Sequence, residues 1–219
     1  AIKSGAALCW GYNGFGELGN GTESGEAPNS SPQPVKNLTS CVTKIATGAY
    51  ASCALQGGKL LCWGSNSNGN LGNGTYDNSN VPVPVSNMDS GVVDVALSAN
   101  YDETLSTCAL KAEKVGTTGA FCWGLNASGQ LGLGDTSEDY YNQPQAVQWG
   151  DGLTNTGVTA IGVGDLFACA IKNDEVYCWG ENSSAQLGVG DTVSRNYPTK
   201  VNGNFNGRKP VTLAVGTWS

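Results

Sequence analysis

The sequence predicts an all-β protein made of four copies of one unit, each of about four antiparallel strands. Three observations lead there. Cys-Trp-Gly recurs at Cys9, Cys62, Cys122 and Cys178, at intervals of 53, 60 and 56 residues, and a fixed period overrides local reading. The 32 Gly and 8 Pro among 219 residues favour many turns over long helices. No segment carries a helical apolar stripe, whereas short β-branched runs bounded by turn residues return in every copy.

The elements of the unit follow in order. After each Cys-Trp-Gly come an Asn and a Leu-Gly-x-Gly step: WGYNGFGELGNGT from Trp10, WGSNSNGNLGNGT from Trp63, WGLNASGQLGLGDT from Trp123 and WGENSSAQLGVGDT from Trp179. A polar loop then reaches Pro-x-x-Val, at Pro32 to Val35, Pro82 to Val85, Pro144 to Val147 and Pro198 to Val201. Next is a β-branched run, VTKIATG from Val42, VVDVALS from Val92, VTAIGVG from Val158 and VTLAVG from Val211. It predicts strands such as Val42–Ala46 and Val158–Val163. Finally Cys-Ala-Leu or Cys-Ala-Ile forms a hairpin with the next Cys-Trp-Gly. Pairing Cys53 with Cys62 sets Gln56 opposite Lys59 and leaves Gly57-Gly58 as the turn. Pairing Cys169 with Cys178 sets Lys172 opposite Glu175 and leaves Asn173-Asp174. Both dipeptides tolerate the positive φ of a type I′ turn. Cys108 and Cys122 are 14 apart instead of 9, which predicts a loop longer by five residues, containing Gly116 and Gly119.

Four-stranded units of about this length with a Trp signature read as β-propeller blades. The pattern resembles the regulator of chromosome condensation repeat family. Its units carry a Trp-Gly, an Asn, a Gln-Leu-Gly-x-Gly-Asp step, a Pro-x-x-Val and a Gly before Ala-Leu. The resemblance covers all four units and implies a propeller, usually of seven blades around a central channel. Where family members often carry His before the hairpin Cys site, this chain has Ala51, Ser106, Phe167 and Ser219. No residue here matches a known position of the family's nucleotide-exchange or nucleosome-binding activity, so neither is carried over.

The hairpin register brings Cys53 to Cys62, Cys108 to Cys122 and Cys169 to Cys178, within disulfide reach. Disulfides persist in oxidising compartments, so the expected location is extracellular or periplasmic. Zinc is disfavoured because Cys-x₂₋₄-Cys spacing is missing. The same register would set Cys9 opposite a position immediately before Ala1, and the spacing from Gly216 points to a Cys two residues beyond Ser219. The expectation is therefore a single propeller domain over 1–219 that is an arc of a larger ring. A closed four-bladed ring is the alternative. Cys9 and Cys41 are expected to lack partners inside the chain.

Charge narrows the function. Eighteen acidic against 11 basic residues give a net −7, which argues against a nucleic-acid surface, and no apolar run is long enough for a membrane span. With no His, the usual general base and commonest metal ligand are both missing. Asp102-Glu103 and Glu138-Asp139 read as solvated loop charge, not paired catalytic carboxylates. Asp135 and Asp191 read as turn-stabilising Asx residues, with a calcium site as the sharper alternative. The expectation is a non-enzyme with no metal and no cofactor.

Trp10, Trp63, Trp123 and Trp179 share one register position and are expected to be buried between blades. The loops after Leu-Gly-x-Gly differ between units: ESGEAPNSSPQ from Glu23, YDNSNVP from Tyr76, SEDYYNQP from Ser137 and VSRNYP from Val193. They bring Tyr76, Tyr140, Tyr141 and Tyr197 toward one face, amid Ser and Asn, the composition of a recognition surface. The expected function is a secreted or cell-surface module binding a protein or glycan; a proteinaceous inhibitor of another enzyme is the alternative, as in a similar secreted propeller that inhibits β-lactamase. Asn20, Asn29, Asn37, Asn73, Asn126 and Asn182 stand in Asn-x-Ser/Thr sequons, acceptors for glycan in a eukaryotic secretory host.

Overall fold

A computed structural model describes residues 1–99, 105–114, 117–136, 139–150, 152–203 and 207–216. Its strands form four antiparallel sheets, with no helix among the described residues. The first sheet joins β1 (Ile2–Lys3), β2 (Ala6–Asn13) and β3 (Gly25–Pro34). The second runs β4 (Val42–Thr47), β5 (Ala51–Gln56), β6 (Lys59–Gly64) and β7 (Ser79–Pro84). The third runs β8 (Val92–Leu97), β9 (Ser106–Lys114), β10 (Thr117–Leu125) and β11 (Tyr140–Ala146). The fourth runs β12 (Val158–Val163), β13 (Phe167–Lys172), β14 (Glu175–Gly180) and β15 (Arg195–Lys200). The first strand β8 lies between the first strands β4 and β12, against both. Strands β7, β11 and β15 are therefore the outer edges of their sheets.

The hairpins keep the expected register. Cys53 faces Cys62 and Gln56 faces Lys59; Cys169 faces Cys178 and Lys172 faces Glu175. Both turns use positive φ, at Gly57 (60°) and Gly58 (82°) and at Asn173 (50°) and Asp174 (66°). The third hairpin corrects the reading of a longer loop. Its pairing continues from Cys108–Cys122 through Lys111–Gly119 to Lys114–Thr117, so the five extra residues lengthen the strands. Gly119 is inside β10 because the ladder satisfies its backbone groups, which a loop would leave to water; Gly116 lies outside the described residues. Disulfides Cys53–Cys62, Cys108–Cys122 and Cys169–Cys178 form across the three hairpins. Cys9, buried, and Cys41, exposed, are free thiols.

The first sheet departs from the four-strand unit. The chain enters it at Ile2, already on the hairpin strand. The fourth copy of the β-branched run, 211–216, forms no strand; Leu213 and Val215 pack over Gly162 of β12 instead.

The seam between consecutive units is built the same way three times. The indole N–H of Trp63 donates to the carbonyl of Glu17 at 2.7 Å, that of Trp123 to Asn70 at 2.8 Å and that of Trp179 to Gln130 at 2.9 Å. All three rings are fully buried. Ser52 and Thr107 hydroxyls donate into the first two of these carbonyls as well. The ring needs bare backbone beneath it: a Cβ at Gly72 would lie 2.6 Å from the Trp123 nitrogen. Likewise a Cβ at Gly69 would meet the Asn142 Cα of the next outer strand at 2.6 Å. Trp10 corrects the expectation of four buried rings. It is 53% exposed, with no glycine among the described residues beneath its ring as Gly19, Gly72 and Gly132 lie beneath the other three.

Within each unit the Asn after Trp-Gly is a fully buried hub, at Asn13, Asn66, Asn126 and Asn182. Its Oδ1 accepts the N–H of Leu18, Leu71, Leu131 or Leu187, and its Nδ2 donates to loop carbonyls such as those of Thr22, Thr75, Asp135 and Asp191. A loop with few apolar contacts is thus folded around one carboxamide.

Glu17 is the odd member of its repeat position, which holds Asn70, Gln130 and Gln186 in the other units. It is buried, its Oε1 has no hydrogen-bond partner, and burial pushes its carboxyl above the usual range. A carboxyl whose pKa is raised by folding holds its proton more tightly in the native state. Stability is therefore fully favoured below the unfolded value of 4.5 and falls as pH rises through the folded one. Glu17→Gln is expected to stabilise the protein at pH 7 and to flatten that slope. Urea midpoints at pH 4 and pH 7 would show it; an unchanged slope contradicts the assignment.

Candidate functional site

The structure places the four tyrosines on different parts of the units. Tyr76 is exposed in the loop before β7. Tyr140 and Tyr197 are exposed too, but Tyr140 opens strand β11 and Tyr197 lies within β15. Tyr141, opposite Gly124, is partly buried against the core cluster of Trp149 and Trp179. Three of the four are thus strand residues, not loop residues, because pairing of the outer strand begins earlier than the polar sequence suggests. Aligned on the residues opposite Gly64, Gly124 and Gly180, which are Ser79, Tyr141 and Arg195, the tyrosines occupy four different repeat positions.

One of them borders a groove. Tyr197, Leu153, Arg195, Pro198 and Lys200 line an opening of about 490 Å³ that reaches Trp149 and Tyr177. Leu153 and Tyr197 are 42% and 47% exposed at its rim, whereas Trp149 is buried. The Trp149 ring meets Tyr177 edge-on at 5.5 Å and Trp179 at 6.0 Å. Trp149 sits on the connection from Val147 to Val158, longer than those from Val35 to Val42 and from Val85 to Val92. Asn155 fixes this connection: its Oδ1 accepts the Trp149 indole N–H and the Ala120 N–H, and its Nδ2 donates to the Ala120 carbonyl, all at 2.9 Å. Lys172 secures it from below, donating to the Thr154 carbonyl at 2.7 Å and to that of Thr156, with its ammonium 4.8 Å from the Trp149 ring centroid. Burial lowers the pKa of that lysine.

The groove's cations are matched locally. Arg195 donates to Asp191 at 2.7 Å, and Lys200 pairs with Glu175 at 2.5 Å. The Arg195 hydrogen bond, and then the Val193 N–H, hold the Asp191 carboxyl below its usual range. Asp191 also accepts from Asn182 Nδ2, so its carboxylate is a turn-stabilising group, as the Asx reading expects. Among the described residues no three His, Cys, Asp or Glu side chains cluster to hold a metal. Glu103, Asp102 and Glu138 lie outside the described residues. The groove has an aromatic floor and a rim that mixes exposed Leu153 and Tyr197 with charged Arg195 and Lys200, a form suited to accepting a side chain. Sequence reasoning missed Trp149 and Leu153; the extra length of their connection and its additional Trp were the available signals.

Comparison with known proteins agrees with this architecture. The model of the Regulator of chromosome condensation (RCC1) repeat matches residues 4–55, 57–101, 119–171 and 173–219. The human E3 ubiquitin-protein ligase HERC2 is 30% identical over 98% of this chain, which spans 4% of that protein. The probable E3 ubiquitin-protein ligase HERC4 of Rattus norvegicus is 31% identical over 95% of the chain, which spans 19% of it. The ultraviolet-B receptor UVR8 of Arabidopsis thaliana is 29% identical over 78% of the chain and 37% of its own length. Among solved structures, human WBSCR16 superposes with a TM-score of 0.75 at 21% identity, over 91% of this chain and 48% of that one. Yeast RCC1 (Prp20) bound to Kap60 gives 0.71 at 17% identity, over 93% and 46%. The chain thus spans a small part of those sequence relatives and about half of the solved propeller chains.

Proposed function

The chain belongs to the Regulator of chromosome condensation (RCC1) repeat family, and from that premise we propose that it is a non-catalytic protein-binding module of an oxidising compartment, at the cell surface or secreted. The observation that carries the binding role is the groove beside β15, where exposed Tyr197 and Leu153 stand over buried Trp149. Aromatic anchors on a rigid frame concentrate binding energy. Yeast RCC1, a solved structure of the same fold, is seen bound to a protein, Kap60. The compartment rests on the three disulfides, which reducing cytosol does not maintain. Ligase activity is a property of the HERC proteins as wholes and is not proposed here.

Selection from a displayed random-peptide library tests this, with a glycan array run in parallel. Peptides are expected to bind, and Tyr197→Ala to weaken them about tenfold or more, the loss of roughly 1.4 kcal/mol at an aromatic anchor, with unchanged thermal stability. Binding confined to the array, or peptides indifferent to Tyr197→Ala and Leu153→Ser, would overturn the protein-binding reading.

A further inference from the structure

Six sequons are present, and the fold treats them unequally. Asn126 and Asn182 are fully buried hubs whose Oδ1 and Nδ2 are both bonded. A sugar on either Nδ2 would have to enter a fully buried site and displace the loop carbonyl that the nitrogen serves. Asn20 and Asn73 are half-buried and tied into their own sequons: Oδ1 accepts both the N–H and the hydroxyl of Thr22 or Thr75. Asn29 is within β3 and donates to Ser24 at 3.2 Å.

Asn37 alone of the six is exposed with both carboxamide atoms unbonded among the described residues. It is exposed, as is Thr39, while Leu38 between them is buried and anchors the loop. Only its main-chain carbonyl is engaged, by Gln56; its carboxamide has no hydrogen-bond partner among the described residues. Its φ is 63°, a left-handed conformation that Asn adopts more readily than most residues. That alone does not explain the sequon. Asn87 takes the same conformation (φ 60°) at the matching place in the next unit, and Asp89 stands there where Thr39 stands here.

We propose that Asn37 is the N-glycan acceptor that the folded protein carries. This rests on the secretory part of the functional reading. In the transfer, Asn37 Nδ2 attacks the anomeric carbon of a polyprenyl-diphosphate oligosaccharide. A C–N bond forms, the C–O bond to the diphosphate breaks, the polyprenyl diphosphate leaves and the amide gives up one proton. No native hydrogen bond is lost. The 35–41 connection emerges at the hairpin-turn end of its sheet, whereas the loops after Leu-Gly-x-Gly, with Tyr76, emerge at the other, so the sugar leaves that end open.

The test expresses the chain behind a cleavable secretion leader in cultured eukaryotic cells. The exported protein is peptide-mapped after enzymatic deglycosylation in heavy-oxygen water, which marks each former acceptor. Asn37 is expected to be marked in most molecules, with Asn126 and Asn182 unmarked. Thr39→Ala should abolish the Asn37 mark without shifting the unfolding midpoint, and Thr39→Ser should retain it. An unmarked Asn37, or a mark at any of the other five sequons in most molecules of the folded exported protein, overturns the assignment. If the chain is retained, the compartment reading fails, and the same map on the leader-cleaved retained protein decides the acceptor by itself.

Discussion

Trp123→Ala is expected to destabilise the protein by about 4 kcal/mol, in the range found when a fully buried Trp is truncated. The ring is completely buried, closes over Gly72, and satisfies the Asn70 carbonyl from across the seam. Its removal leaves a cavity and halves the donors to that carbonyl, keeping only Thr107. Trp10→Ala is the internal comparison. At the same repeat position but half-exposed, it should cost clearly less than Trp123→Ala, since about half as much apolar area leaves water. Urea denaturation of both variants measures the pair. Equal losses would mean that the seam contributes nothing beyond the apolar area of a tryptophan.

Asn66→Ala should cost about 3 kcal/mol, a sum of unmet buried hydrogen bonds. Its Oδ1 receives the Leu71 N–H at 2.8 Å, and its Nδ2 serves the carbonyls of Thr75 at 2.9 Å and Asp77 at 3.1 Å. Asn66 and Leu71 are both fully buried, so the amide pair between them has no water to replace it. Asn66→Asp should be at least as harmful at pH 7, because it keeps the acceptor, loses both donors and buries a charge. Denaturation midpoints at pH 7 rank the two; an Asp variant close to wild type would show that the loop opens to solvent.

The hairpins were legible residue by residue, because cysteine spacing and turn chemistry are both local. Gly57-Gly58 and Asn173-Asp174 needed nothing beyond a register and a demand for positive φ. The inward place of Trp63, Trp123 and Trp179 was also legible, as repetition at one position implies a repeated environment. Trp10 was not, since its environment depends on a neighbour and not on its own unit. The Lys114–Thr117 pairing escaped because an insertion reads the same whether it lengthens a loop or two strands. The tyrosines were misplaced for a related reason: Asn, Gln and Pro in YYNQP suggest a loop, yet outer strands bond on one side only and tolerate them. The Asn hubs were visible as a motif, but their burial was not, because an Asn in a Gly-rich stretch is ordinarily a surface turn residue.

The repetition of the seams has a consequence for how the molecule comes apart. Each seam is bonded both ways, an indole donating back to the preceding unit while the N–H of Gly21, Gly74 or Gly134 donates forward to the carbonyl of Asn80, Asn142 or Asn196, so neighbours are coupled in a row. The units of β4–β7 and β8–β11 each belong to two seams, whereas the outer ones described belong to one. Amide exchange should therefore be slow in β5, β6, β9 and β10, whose units are each held at two seams. Severing the link at Trp123 would divide one cooperative block into two pairs with separate protection. In this arrangement the protection of a strand is set by how many neighbours its unit has.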